Sequence, residues 1–155
     1  MIHNPYPMIH NSKLIIHTDG GARGNPGPAG IGVVIYDPNG NLIKKYGKYI
    51  GDEKTNNEAE YEAVIAALVA AEKLGGKDLQ FNLDSELVVR QLNNIYKVKN
   101  QRMQKLVMKV HNLETKFAGV KYTYVPREQN KLADTLVNEA IDKAQKFPSP
   151  SYGEG

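Results

Sequence analysis

The stretch Leu14-Ile-Ile-His-Thr-Asp19-Gly-Gly-Ala-Arg-Gly-Asn-Pro-Gly-Pro-Ala-Gly30 decides the fold. It opens as a short apolar run of the kind that forms a buried strand, and Asp19-Gly-Gly at its end predicts entry into a turn. Downstream, Ile31 to Tyr36 and Asn41 to Ile50 are two more strand-like runs, separated by Asp37-Pro-Asn-Gly40, whose residues suit a hairpin turn. Three consecutive antiparallel strands follow. At Thr55 the period changes: Tyr61, Val64, Ile65, Leu68, Ala71 and Leu74 recur at helical spacing until Gly75-Gly76 ends the helix. Leu79 to Asp84 is a fourth strand, and Ser85 caps a helix running through Val88, Val89 and Leu92. A longer helix spans about Gln101 to Phe117. Val120 to Val125 alternates like a strand, Pro126 stops it, and Leu132, Leu136, Val137, Ala140 and Ile141 form the apolar stripe of a last helix. The order βββαβααβα predicts an α/β protein with a mixed sheet covered by helices.

With 155 residues, the chain has room for one core. We expect a single domain over residues 13–147, preceded by a polar arm (1–12) containing Pro5 and Pro7 and followed by a tail (148–155). Apolar residues at 41% and charged residues at 24% are globular proportions, which excludes a disordered chain or a coiled coil. The absence of Cys excludes disulfides, thiolate metal sites and a cysteine nucleophile together. A net charge of +3 is too small to imply a nucleic-acid partner by itself. No apolar run reaches membrane-spanning length, and the first residues lack a signal-peptide core. The expectation is a soluble, cytoplasmic monomer with no membrane partner.

Most of the 17 acidic residues suit solvated faces, but four do not. Asp19 and Asp84 close apolar strands, Glu60 precedes Tyr61 on the sheet-packing helix, and Asp134 lies in the first turns of the last helix. Strand ends and helix starts converge at the rim of an α/β sheet. If the four meet there, their repulsion demands a cation, and an all-oxygen donor set selects Mg²⁺ or Mn²⁺ over zinc. Two such ions about 4 Å apart activate water and stabilise a leaving oxygen in phosphodiester cleavage. The spacing of the four alone is equally compatible with helix capping and solvated strand ends.

The residues around the acids carry more. The Asp19-to-Gly30 segment, Thr55-Asn-Asn-Glu-Ala-Glu60, Asp84-Ser-Glu-Leu-Val and Val125-Pro-Arg-Glu-Gln-Asn-Lys-Leu-Ala-Asp134 together resemble ribonuclease H of type 1, in the family's order from about Lys13 to Lys146. The resemblance implies a ribonuclease H-like five-stranded mixed sheet with its first three strands antiparallel. It also implies cleavage of the RNA strand of RNA/DNA hybrids by a two-metal mechanism, giving 5′-phosphate and 3′-hydroxyl ends. Asp19, Glu60, Asp84 and Asp134 match the family's catalytic, metal-binding carboxylates, with Asp19 bridging two ions, Mg²⁺ or Mn²⁺ in its place, when substrate is bound.

By the same similarity Gly24, Asn25, Asn56, Asn57 and Glu86 belong to the substrate surface. Amides there can donate to and accept from a 2′-hydroxyl, the group that tells RNA from DNA. Gly20, Gly21 and Gly24 let the backbone approach a sugar-phosphate chain, or simply build a tight turn. Thr55 matches a threonine at a DNA-strand phosphate and equally suits a helix N-cap. Asn130 matches an asparagine near the active site, with helix capping as its alternative role.

Lys97, Lys99, Arg102, Lys105 and Lys109 fall in a stretch without one acidic residue, either a phosphate-facing strip or a solvated helix face. Lacking Trp and a long basic connection, the chain resembles the family's compact prokaryotic and archaeal branch. Many relatives place a histidine before the last aspartate; here Arg127 stands in that loop, able to hold a phosphate but not to act as a base. Two alternatives accompany the hybrid-cleaving reading: a non-catalytic hybrid- or duplex-binding module of the same fold, and a nuclease that also cuts double-stranded RNA.

Overall fold

The computed structural model describes residues 12–146. Of the expected arm only Ser12 falls among them, and the expected tail lies outside them. The elements are β1 (Lys13–Ala22), β2 (Gly27–Tyr36), β3 (Leu42–Lys54), α1 (Asn56–Lys73), β4 (Asp78–Leu83), α2 (Glu86–Leu92), α3 (Gln101–Glu114), β5 (Gly119–Tyr124) and α4 (Lys131–Lys146), with one 3₁₀ turn over Arg127–Gln129. The order is the one expected, and the sheet runs β3-β2-β1-β4-β5. β1 pairs antiparallel with β2, which pairs antiparallel with β3, whereas β4 lies parallel to both β1 and β5. This is the five-stranded mixed sheet of the resemblance.

Period-two alternation distributes the two faces of the sheet. Leu14 and Ile16 of β1, Val33 and Ile35 of β2 and Phe81 and Leu83 of β4 are buried with Tyr61, Val64 and Leu68 of α1 in one core cluster. On β2 the intervening residues face α4. A Cβ on Gly32 would sit 2.2 Å from the Ala133 carbonyl oxygen, and one on Gly47 of β3 would sit 2.4 Å from that of Leu136. The last helix therefore lies on bare backbone.

The Asp37–Gly40 turn forms as expected: Gly40 N–H donates to Asp37 O at 3.1 Å, and Gly40 takes a φ of 87°. The expected turn at Asp19-Gly-Gly does not form. β1 continues through Ala22, with Gly20 opposite Ile31 and Gly21 opposite Gly30. The glycines serve close approach instead, since a Cβ on Gly20 would lie 2.2 Å from the Ala59 carbonyl oxygen of α1. β2 and β3 likewise extend beyond their apolar cores, because ladder hydrogen bonds hold polar residues as well as apolar ones. The long helix stops at Glu114, short of Phe117, where Thr115 N–H turns back to Asn112 O at 3.3 Å.

Candidate active site

Parallel pairing brings the first two acids together. Thr18 of β1 is in register with Leu83 of β4, so the next residues, Asp19 within β1 and Asp84 just past the end of β4, lie side by side. The approach of α1 at Gly20 brings Glu60, on the second turn of α1, against them. One carboxylate oxygen from each of Asp19, Glu60 and Asp84 lies within 4.8 Å of the others. Asp134, in the first turn of α4, joins from the other side of the sheet; its carboxyl shares a hydrogen bond with that of Asp19. The contact between α4 and Gly32 holds it there, since Gly32 is paired with Asp19. All four acids of the sequence reading thus meet, three as a tight group and Asp134 at its edge.

Their titration records the crowding. Burial, then the charges of Asp84 and Asp134, push the Asp19 carboxyl up to about 8. Burial, then Asp19 and Asp84, holds Glu60 well above the usual carboxylate range. Burial also raises Asp84, opposed by Arg127 and by a hydrogen bond from Asn130. Two ionised carboxylates at these separations repel by roughly 3–4 kcal/mol at an effective dielectric constant of ~20. Glu60 Oε2 is buried without a hydrogen-bond partner, which in a native protein requires a reason. A hard divalent cation fits on three counts: it offsets the charge, gives the orphaned oxygen a partner, and prefers oxygen donors such as these carboxylates.

The acids line a cleft of about 450 Å³ together with Gly20, Gly21, Arg23, Asn56, Asn57, Ser85 and Arg127. Asn25 borders it, its Oδ1 accepting the Asn56 N–H at 3.0 Å, while Asn56 Oδ1 accepts the Ala22 N–H at 2.9 Å. These two bonds fasten the loop through Gly24, whose φ is 93°, to the start of α1. Thr55 caps α1: its hydroxyl accepts the Glu58 N–H at 3.1 Å, and Glu58 Oε1 accepts the Thr55 N–H at 3.2 Å. The Asn130 side chain turns to β1, where Nδ2 donates to Thr18 O at 2.9 Å, instead of closing the end of α4.

Glu86 stands outside the cleft. It lines a neighbouring depression and pairs with Arg90 at 2.8 Å. Arg102 reaches back to Glu58 at 3.4 Å, so it tethers α3 to the start of α1, while Lys97, Lys99, Lys105 and Lys109 are exposed. Sequence reasoning passed over Ser85, a cleft wall as well as the α2 cap, and His17, whose ring lies beside Asn130. The signal for His17 was a polar residue on the non-core face of a central strand, in register with Asn82 on β4.

A five-stranded sheet in this order, with acids from β1, α1 and the end of β4 meeting at its rim, defines a ribonuclease H-like α/β protein with a carboxylate site suited to hard dications. The family model described as reverse transcriptase-like matches residues 17–140. Ribonuclease HI of Halobacterium salinarum is 41% identical over 132 residues, covering 85% of this chain and 66% of its own length. A bifunctional protein of Mycobacterium tuberculosis is also 41% identical over 132 residues, which are 85% of this chain but only 36% of that protein. The chain therefore spans about a third of the mycobacterial relative. Among solved structures, ribonuclease H1 of Halobacterium salinarum superposes with a TM-score of 0.83 at 39% identity, covering 85% of this chain and 99% of that one. LC11 ribonuclease H1, isolated from compost and solved in complex with an RNA/DNA hybrid, gives 0.81 at 47% identity with the same coverage. The chain belongs to the ribonuclease H family, and within it to type 1.

Proposed function

We propose that this protein is an endonuclease that hydrolyses the RNA strand of RNA/DNA hybrids, leaving a 5′-phosphate and a 3′-hydroxyl. The observation that carries the reading is the carboxylate triad Asp19, Glu60 and Asp84, with the buried Glu60 Oε2 left without a hydrogen-bond partner. Its support from relatives is the hybrid bound by LC11 ribonuclease H1. Asp19, Glu60 and Asp84 would hold Mg²⁺, or Mn²⁺ in its place, with Asp134 completing the set and two ions present when substrate is bound. Bound there, the dications supply an activated water and neutralise charge on the scissile phosphate.

The remaining work falls to the chain. Asn56 and Asn57 line the cleft wall and Asn25 borders it, where their amides meet 2′-hydroxyls of the RNA strand. Thr55, at the positive end of α1, faces a phosphate of the DNA strand while capping the helix. Arg127 faces Glu60 and Asp84 and orients a non-bridging phosphate oxygen with its planar guanidinium. Lys97 and Lys99 extend the positive surface along the duplex. Water adds to phosphorus as the bond to the 3′-oxygen breaks, and the 3′-oxygen leaves as a hydroxyl after protonation.

The test is cleavage of labelled RNA/DNA, RNA/RNA and DNA/DNA duplexes with Mg²⁺, with Mn²⁺ and with chelator. Hybrid-selective cutting that stops in chelator is the expected result. Binding without cutting under every metal condition would leave a hybrid-binding module, and equal cutting in chelator would remove the metal from the mechanism.

A further inference from the structure

A polar chain runs along β1 and β4 behind the carboxylates, and one residue fixes its direction. Gln80 Nε2 donates to Thr123 Oγ1 at 2.8 Å and lies 3.1 Å from Phe81 O and 3.3 Å from Asn82 Oδ1. That leaves Asn82 Nδ2, a pure donor, 3.3 Å from His17 Nε2, which must therefore accept. In the neutral ring the proton then sits on Nδ1, 3.2 Å from Asn130 Oδ1. Asn130 is 1% exposed. With its oxygen committed to His17, both its amide hydrogens point the other way, one to Thr18 O at 2.9 Å and one to the Asp84 carboxyl.

Along this chain His17 is the member that hands the Asn130 oxygen a donor. Thr18 O can hold one amide hydrogen of Asn130, but without His17 the buried oxygen loses the donor it has among the described residues. The amide then gains by rotating towards whatever donor it can reach, and Asp84 loses its hydrogen bond. The ring itself is seated edge-on against Tyr36, with centroids 5.8 Å apart and planes at 87°. It is therefore packed in place, not free to leave.

We infer that His17 is a positioning residue for the dication site: through its Nδ1–H it orients the Asn130 amide, which in turn aims the Asp84 carboxylate. The inference rests on the nuclease reading above and concerns a residue that touches neither substrate nor ion. Groups that orient metal ligands in this way are worth about 10–100-fold in metal affinity or activity.

The test compares His17→Phe, His17→Asn and His17→Gln in the full chain. Phe keeps the contact with Tyr36 and deletes both nitrogens. An Asn amide nitrogen extends about as far as imidazole Nδ1 and retains the donor to Asn130, whereas Gln reaches the Nε2 side only. Each variant is measured for urea midpoint, for Mn²⁺ affinity by calorimetry without substrate, and for kcat and KM on an RNA/DNA hybrid. His17→Phe and His17→Gln are expected to weaken Mn²⁺ binding and lower kcat by about 10-fold or more with KM within about twofold. His17→Asn is expected to stay within about threefold of the parent on both.

Equal Mn²⁺ affinity in His17→Phe and the parent overturns the inference, as does equal impairment of His17→Asn and His17→Gln, which would mark a merely structural ring. Should His17→Phe fail to fold, the split between Asn and Gln decides alone. A parent chain that neither binds Mn²⁺ nor cuts hybrids overturns the nuclease reading and this inference together, whereas an active parent with indifferent variants sinks only the role of His17.

Discussion

Replacing Asp19 by Asn removes one charge from the carboxylate cluster and keeps its shape. The Asn oxygen still accepts the Gly20 N–H, as Asp19 Oδ1 does at 3.0 Å, and the new amide donates towards Asp134. In the metal-free protein the Asp19 carboxyl titrates at about 8 against an ordinary value of 3.8. Because the folded value is the higher one, the folded state binds the proton more tightly. Stability is intact below the unfolded value and is lost as pH rises from there through the folded value. At neutrality roughly three units of that interval have been crossed, at about 1.4 kcal/mol each, which sets a ceiling of about 4 kcal/mol. Sharing of protons with Glu60 and Asp84 lowers the recoverable part to about 1–3 kcal/mol. Urea unfolding in chelator should therefore show Asp19→Asn more stable than the parent by that amount near neutrality and by under ~0.5 kcal/mol at about pH 4, while hybrid cleavage in Mg²⁺ falls to background. A stabilisation of the same size at both pH values, or a loss near neutrality, would refute the electrostatic reasoning, and parental activity would refute the assignment of Asp19.

Adding Mg²⁺ or Mn²⁺ to the parent should raise its melting temperature, by an amount equivalent to about 2.7 kcal/mol at a hundredfold excess over Kd; differential scanning calorimetry with and without chelator measures it, and the gain should vanish in Asp19→Asn. Gly32→Ala drives a methyl into the Ala133 carbonyl and should cost more than about 2 kcal/mol in urea unfolding, with cleavage falling alongside as Asp134 is displaced. Arg127→Gln removes the cation that opposes protonation of Glu60 and Asp84, so both carboxyls rise further and Mn²⁺ binding, followed by calorimetry across pH, should shift to more alkaline conditions.

Much of this was legible in the sequence, for physical reasons. The change from period two to 3.6 at Thr55 marked where strands give way to helix, and the capping box formed by Thr55 and Glu58 sits at that boundary. Asp84 and Asp19 were readable as strand-end acids, although β1 runs on to Ala22 because glycines that break an isolated strand are tolerated where a neighbouring helix needs the room. The family motifs located Glu60 and Asp134, which no spacing rule ties to Asp19. Less could be read where a side chain has two uses. Arg102 reaches Glu58 because α3 packs against α1, a neighbour relation that spacing does not show, while Glu86 pairs with Arg90 one turn on within α2. His17 escaped notice because its partners come from β4 and from the loop before α4, and only strand register shows that they meet.

The seating of α4 on Gly32 and Gly47 has a practical corollary for protein engineering. A helix resting on naked main chain has no deformable cushion beneath it, so its height above the sheet is dictated by the strands and not by side-chain repacking. Chimeras that borrow α4 from a relative must import the residues at positions 32 and 47 with it; otherwise the borrowed aspartate arrives at the wrong elevation, however well the helix itself is formed.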